Sequence, residues 1–200
     1  MAARWPTRYL TAVRKRDGES MNTVQRFWGH LTTITRHRHK VIAHCAKAGI
    51  LWQGLFHDLS KYSPTEFLQG VRYFDGTHSP TEDERRAEGF SRAWMHHKGR
   101  NRHHWEYWVD YSLERRAYVS MPMPKRYIAE MLCDRVAASK IYKGSAYHDG
   151  APLAYLIGGK LRDDMHPQNF ALLERFLTQL QDEGEAAMFE SLRRWVREKE

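Results

Sequence analysis

Cysteine is scarce: the 200-residue chain holds two, Cys45 and Cys133, far apart and each inside an apolar-periodic stretch. A disulfide framework is therefore excluded, and the pair reads as buried thiols of a reducing compartment. Long apolar runs are lacking too. None approaches the roughly 18 residues of a membrane-crossing helix, and the first residues lack the apolar middle of a signal peptide, so cytoplasm is the expected location and no membrane partner is expected. Sustained alternation of apolar and polar positions with β-branched residues is also missing, which argues against a sheet of consequence. With 200 residues, 42% of them hydrophobic, one core suffices. The expectation is an all-α, single-domain helical bundle over residues 21–200, preceded by a loosely attached basic arm over residues 1–20.

Acidic charge is in deficit. A formal net charge of +8 and a pI near 9.6 favour an anionic partner: a phosphorylated small molecule, a nucleotide or nucleic acid. The densest basic groups, Arg14-Lys15-Arg16 and Arg193-Arg194 with Arg197, lie near the ends and read as solvated surface.

Histidine is in excess, with twelve residues, nine of which cluster: His30, His37, His39 and His44, then His57, then the pairs His96-His97 and His103-His104. Such clustering suggests coordination chemistry.

Phe27, Leu31, Ile34, Val41, Cys45 and Ala48 recur at helical spacing up to Gly49, and a helix through Leu51, Leu55 and Leu59 should follow. Two segments open with the same tetrapeptide, Ser63-Pro64-Thr65-Glu66 and Ser79-Pro80-Thr81-Glu82. Each places Ser at an N-cap, Pro at the first helical position and Glu where a capping box wants it. The second helix should carry Phe90, Trp94, His96 and His97 to its end before Gly99, and His103 should open another through Trp108 and Tyr111. After Pro122 and Pro124, Tyr127, Met131, Asp134 and Ala138 form one helical stripe. A short helix over Leu153 to Ile157, one opened by Pro167, and a last amphipathic one from about Glu185 to Arg197 complete the chain.

A carboxylate on an apolar face is costly unless paired or bound to a cation, so Asp134 needs a partner: Arg126, Arg135, a helix cap, or a metal. His57 and Asp58 are adjacent, hence about 100° apart on a helix, and approach one ion together only if a helix end faces the site. The turn from Lys98 to Arg102 brings the two histidine pairs near one another. Lys98, Arg100 and Arg102 beside them are candidates for phosphate contacts, and Trp105, Tyr107 and Trp108 for a pocket wall, although such cations are nearly as often solvated surface and aromatics at helical spacing more often core.

The succession of an upstream His, adjacent His57-Asp58, further His pairs and a late Asp134 resembles the HD superfamily of helical metal-dependent phosphohydrolases. The stretches HDLSKYSPTEF, AWMHHKGRNRHHWEYW and EMLCDRVAASKIY look like an uncharacterised bacterial family of HD-like proteins over about residues 30 to 170. The resemblance implies an HD-type bundle holding one or two divalent ions (Mn, Fe, Co, Ni or Zn) through His39, His57, Asp58, His97, His103 and Asp134. It places Lys61 where a phosphate-contacting lysine stands in the His-Asp-x-x-Lys variant. His96 and His104 would then support the ligands or donate protons. Helical stripes leave the upstream ligand open, since His37 and His44 align with Val41 and Ala48 while His39 aligns with Ile42 and Ala46; the resemblance picks His39. The Gly-Tyr-Pro signature of the cyclic-dinucleotide phosphodiesterases is missing, so that activity is unsupported. The implied function is hydrolysis of a phosphate ester or nucleotide by a metal-activated water. The alternatives are an HD-fold diiron oxygenase and a non-catalytic nucleotide or nucleic-acid binding module.

Overall fold

The computed structural model describes residues 21–159 and 161–198, so the basic arm expected over residues 1–20 lies outside the described residues. Asn22 starts the first helix through a reciprocal cap. Its side chain accepts from the Gln25 amide, and the Gln25 side chain accepts from the Asn22 amide, each at 2.9 Å. Helix α1 (Thr23–Ala48) then runs unbroken to Gly49. Helix α2 (Leu51–Phe56) doubles back onto α1. Gly54 permits the approach, because a Cβ there would lie 2.5 Å from the Cys45 Cβ.

Helices α3 (Pro64–Tyr73) and α4 (Pro80–Glu88) begin where their shared tetrapeptide predicts, with Ser63 and Ser79 as N-caps. The expected capping boxes do not form. Neither serine side chain caps; the Ser79 hydroxyl instead pairs with that of Thr81 at 2.9 Å, and Glu66 turns inward, 5% exposed.

The single helix expected from Ser79 to His97 is two. Gly89 closes α4 with φ 80°, and the Ser91 hydroxyl accepts from the Trp94 amide at 2.9 Å to start α5 (Arg92–Lys98). The buried Glu84 carboxylate ties the two helices, accepting from the Ser91 hydroxyl and, at 3.0 Å, from the Arg92 amide.

Nor does a helix open at His103. A 3-10 turn over Trp105–Trp108 leads into an antiparallel hairpin of β1 (Val109–Ser112) and β2 (Ala117–Ser120), with Val109 opposite Ser120. Valine and tyrosine favour the pleated surface over the helix here, and the cross-strand rings of Tyr111 and Tyr118 meet edge-on at 5.5 Å.

Helix α6 (Lys125–Lys143) is the central element, packed between α1 and α9 (Pro167–Arg197), with α7 (Ala151–Gly158) and α8 (Leu161–Asp164) beside them. Within α9, Gly184 adopts φ 84° and breaks the helix where the sequence predicts a boundary before Glu185. The core joins Val41 and Cys45 of α1 to Ile128, Leu132 and Val136 of α6 and to Leu173, Phe176, Leu177 and Leu180 of α9. Each fully buried aliphatic or aromatic side chain contributes about 1.5–3 kcal/mol. Both cysteines are free and buried in this core. The chain is thus a mainly all-α single domain, and among the described residues no helix is long and apolar enough to cross a membrane. Arg193, Arg194 and Arg197 are exposed, as expected.

Met131, at the edge of this core, joins Asp134 and Ala138 on one face of α6 to line a cavity of about 400 Å³. This places the candidate site between α1, the end of α2, α5 and α6.

Candidate metal centre

The problem of two adjacent candidate donors is solved by a broken helix. Helix α2 ends at Phe56, His57 is its extended C-cap, and Asp58 turns into the left-handed region with φ 54°. Such a conformation costs a non-glycine residue about 1–3 kcal/mol and recurs at functional sites. Here it swings both side chains to one centre, with His57 Nε2 3.3 Å from Asp58 Oδ2.

Around that pair the fold gathers His37, His97, His103, His104 and Asp134. His37 Nε2 lies 2.9 Å from Asp134 Oδ1, which is 3.8 Å from His57 Nε2. On the other side, Asp58 Oδ1 lies 3.3 Å from His97 Nε2 and 3.5 Å from His103 Nε2. His97 Nε2 and His104 Nε2 are 2.9 Å apart. Asp134 Oδ2 reaches toward His103 Nε2 at 3.9 Å. Two donor groups result, His37–His57–Asp134 and Asp58–His97–His103–His104, with both aspartates facing both.

Four of these atoms, His37 Nε2, His57 Nε2, His103 Nε2 and Asp58 Oδ1, are buried without a hydrogen-bond partner. Each such atom costs about 1–3 kcal/mol if nothing satisfies it. The 2.9 Å approach of His37 to Asp134 is therefore proximity without hydrogen-bond alignment. Metal–donor distances of about 2.1 Å imply donor–donor edges of about 3.0 Å in an octahedron and 3.4 Å in a tetrahedron. The separations of 2.9–3.5 Å match those edges, while the contacts of Asp134 with His57 and His103 at 3.8 and 3.9 Å are longer than one edge, so the residues present fit one or two divalent ions. Imidazole with carboxylate suits Mn, Fe, Co, Ni or Zn better than Mg or Ca.

Two glutamates behind the donors were not singled out from sequence. Glu130 Oε1 accepts from His57 Nδ1 at 2.8 Å and from His103 Nδ1 at 3.2 Å, and Gln53 donates to its other oxygen. Glu66 accepts from His97 Nδ1 at 2.8 Å and from His96 Nδ1 at 2.6 Å. Holding Nδ1–H in this way leaves the Nε2 atoms of His57, His97 and His103 to face the centre. Burial pushes the Glu130 carboxyl up, but the imidazoles of His103 and His57 outweigh it and hold it down at about 2. Burial likewise opposes charge on His57, yet Asp58, Glu130 and Asp134 raise it to about 10. Asp58 and Asp134 stay well below the usual carboxylate range despite burial, owing chiefly to His57 and Lys61 for the first and His37 for the second. Burial, with His103 and His97 nearby, keeps His104 neutral.

Placement of the expected site residues is uneven. His57, Asp58, His97, His103 and Asp134 converge. His39 does not: it is exposed on α1, while His37, two positions earlier and on the buried stripe with Val41, takes the upstream place. His44 belongs to the core, its Nδ1 3.2 Å from the Cys133 carbonyl oxygen and its ring against Phe189. His104 joins the second donor group, whereas His96 is turned to Glu66 and does not line the cavity. Lys61 lines it, with Nζ 2.6 Å from Asp58 Oδ2. Asp134 pairs with no arginine among the described residues. Lys98, Arg100 and Arg102 stand off the cavity, while Trp105 forms part of its wall; Trp108 packs against the core.

Compared with known proteins, the chain belongs to a family of unknown function, DUF5662, whose profile matches residues 26–179. Neither a curated protein nor a solved structure matches it.

Proposed function

We propose that this member of the family is a metal-dependent phosphohydrolase of HD type, acting on a small phosphate ester or nucleotide. The observation that carries the reading is the convergence of unpartnered, buried His37, His57 and His103 Nε2 atoms and Asp58 Oδ1 beside a cavity that also receives the Lys61 side chain. The order of the converging residues, an α1 histidine, His57-Asp58, the histidine pairs and Asp134, supports the HD assignment, with His37 taking the place that the resemblance gives to His39.

His37, His57 and Asp134 would hold one ion and Asp58, His97, His103 and His104 a second. Divalent ions there supply Lewis acidity toward a phosphoryl oxygen and lower the pKa of water to near neutrality. Glu130 and Glu66 hold the imidazole tautomers. Lys61 neutralises Asp58, and the carbon-rich wall of Ile34, Phe74, Trp94 and Met131 excludes bulk water from the seated substrate.

The test is elemental analysis of protein purified without chelator, then phosphate release from a panel of esters and nucleotides with each metal, for wild type and Asp58→Ala. Metal-dependent release that disappears in a folded Asp58→Ala protein is the expected result. Four or more imidazoles with two carboxylates also suit a diiron oxygenase. Bound iron with dioxygen uptake and no phosphate release would replace the hydrolase reading with that one. Binding of nucleotide that survives Asp58→Ala, without turnover under any metal, would favour a binding module.

A further inference from the structure

The cation best placed to receive an anion is not the one that the motif singles out. Lys61 is already committed, its ammonium 2.6 Å from the Asp58 carboxylate. Arg135, one residue beyond Asp134 on α6, lines the same cavity. Its Nε is buried without a hydrogen-bond partner, and among the described residues no carboxylate lies within ion-pair distance of its guanidinium. Asp134 and Glu106 attract it only from beyond ion-pair distance. The residue as a whole is half-buried, so its Nε–H is left without a partner while the rest of the planar fork stays open to an anion such as phosphate, which would complete its hydrogen bonds.

The rest of the cavity limits what that anion is attached to. Ile34, Phe74, Trp94, Trp105 and Met131 make much of its wall, which suits an apolar or aromatic body. A volume of about 400 Å³ lies near the lower end of small-molecule sites, roughly 300–1,000 Å³. One compact molecule fits; a polymer chain does not.

We infer that Arg135 is the anion-binding residue of this cavity and that it selects a compact phosphomonoester with an apolar or aromatic body. The inference deepens the phosphohydrolase reading and rests on it only for the identity of the anion. Lys61 then serves Asp58, and Arg135 serves the substrate.

Calorimetric titration of the metal-loaded, full-length protein with phenylphosphonate, whose carbon–phosphorus bond resists hydrolysis, tests this, with methylphosphonate and benzoate as comparisons. Wild type should bind phenylphosphonate more tightly than either. Arg135→Gln should weaken it about tenfold or more, as loss of a charge-assisted hydrogen bond does, and Arg135→Lys should recover part of the affinity. Metal content should stay at the wild-type level. The ligand-free Tm of Arg135→Gln should not fall, because removing the guanidinium leaves no partner unpaired. Equal affinity in wild type and Arg135→Gln, or no binding by wild type, would overturn the inference. Tighter binding of benzoate would overturn the choice of phosphate. A fall in ligand-free Tm without recovery in Arg135→Lys would make Arg135 a structural cation instead. Failure of the hydrolase reading looks different: binding that depends on Arg135, with no phosphate released from any ester.

Discussion

Replacing Glu130 with glutamine tests the candidate metal centre from behind, since the residue does not line the cavity beside Asp134 but holds two of the proposed donors. Its Oε1 accepts from His57 and His103 at 2.8 and 3.2 Å, so one substitution weakens the support of both donor groups. Glutamine keeps the shape and one acceptor, loses the charge, and turns an NH2 group toward either an imidazole N–H or the Gln53 amide. Loss of such a support lowers metal affinity by about 10–100-fold, or about 1.4–2.7 kcal/mol. The metal-free protein should suffer as well. His57, raised to about 10 by its carboxylates, is a buried cation, and losing one of its counter-charges costs on the order of 3 kcal/mol. Competition with a chromophoric chelator gives the affinity, and thermal unfolding with and without metal separates the two effects. Wild-type affinity in Glu130→Gln would refute the claim that this carboxylate orients the donors. A loss of Tm equal in both conditions would leave Glu130 as a core ion pair alone.

Three further outcomes follow from the same geometry. His37→Ala should lose at least half of the bound metal while His39→Ala keeps it all, because only His37 faces Asp134; elemental analysis reads the contrast, and the reverse pattern would restore the resemblance-based choice. Gly54→Ala places a methyl 2.5 Å from the Cys45 Cβ, so α2 must move off α1 at a cost of about 1–3 kcal/mol, and metal content should fall with it because α2 positions His57; a denaturant midpoint equal to that of wild type would mean that the helices separate freely. Stability should also decline in acid. Burial lowers the pKa of His30 and of His44 from 6.5 to about 4, so between those values the unfolded chain binds more protons than the folded one. Stability is therefore full above about pH 6.5 and is lost as pH falls toward 4, on the order of 3 kcal/mol for each residue at the low end. Urea unfolding across this window should show the slope, reduced in His44→Gln, and a flat profile would contradict the burial of neutral imidazoles.

Helix positions were largely legible because the fold keeps its apolar stripes in register with the core, as Leu173, Phe176, Leu177 and Leu180 do on α9. What failed were junctions. Ser91 and Glu84 break the expected helix after Gly89 through a tertiary carboxylate that no local pattern announces. Val109, Tyr111 and Tyr118 settle into a hairpin in which the Tyr111 and Tyr118 rings meet across the strands, a contact that periodicity alone does not contain. The choice between His37 and His39 is of another kind: the stripe shared by His37 and Val41 faces inward, whereas the resemblance points to His39, which is exposed.

The supporting glutamates show where sequence stops and tertiary structure decides. Glu66 and Glu82 occupy the same place in two identical tetrapeptides, yet Glu82 pairs with Arg86 at the surface while Glu66 is buried against His96 and His97. Nothing within four residues distinguishes them; the difference is that α3 packs on α5 and brings the histidines over Glu66. Glu130 did leave a trace. It stands four residues before Asp134, on the same face of a helix whose neighbouring positions are apolar, and like charges at that spacing repel. A helix keeps two such carboxylates buried only if cationic groups stand between and beside them. Here His57 and His103 lie against both, Glu130 on their Nδ1 side and Asp134 on their Nε2 side. The paired carboxylates of α6 are thus opposite walls of one layer of imidazoles, and Asp134 is the wall that faces the cavity, where the proposed ions would sit.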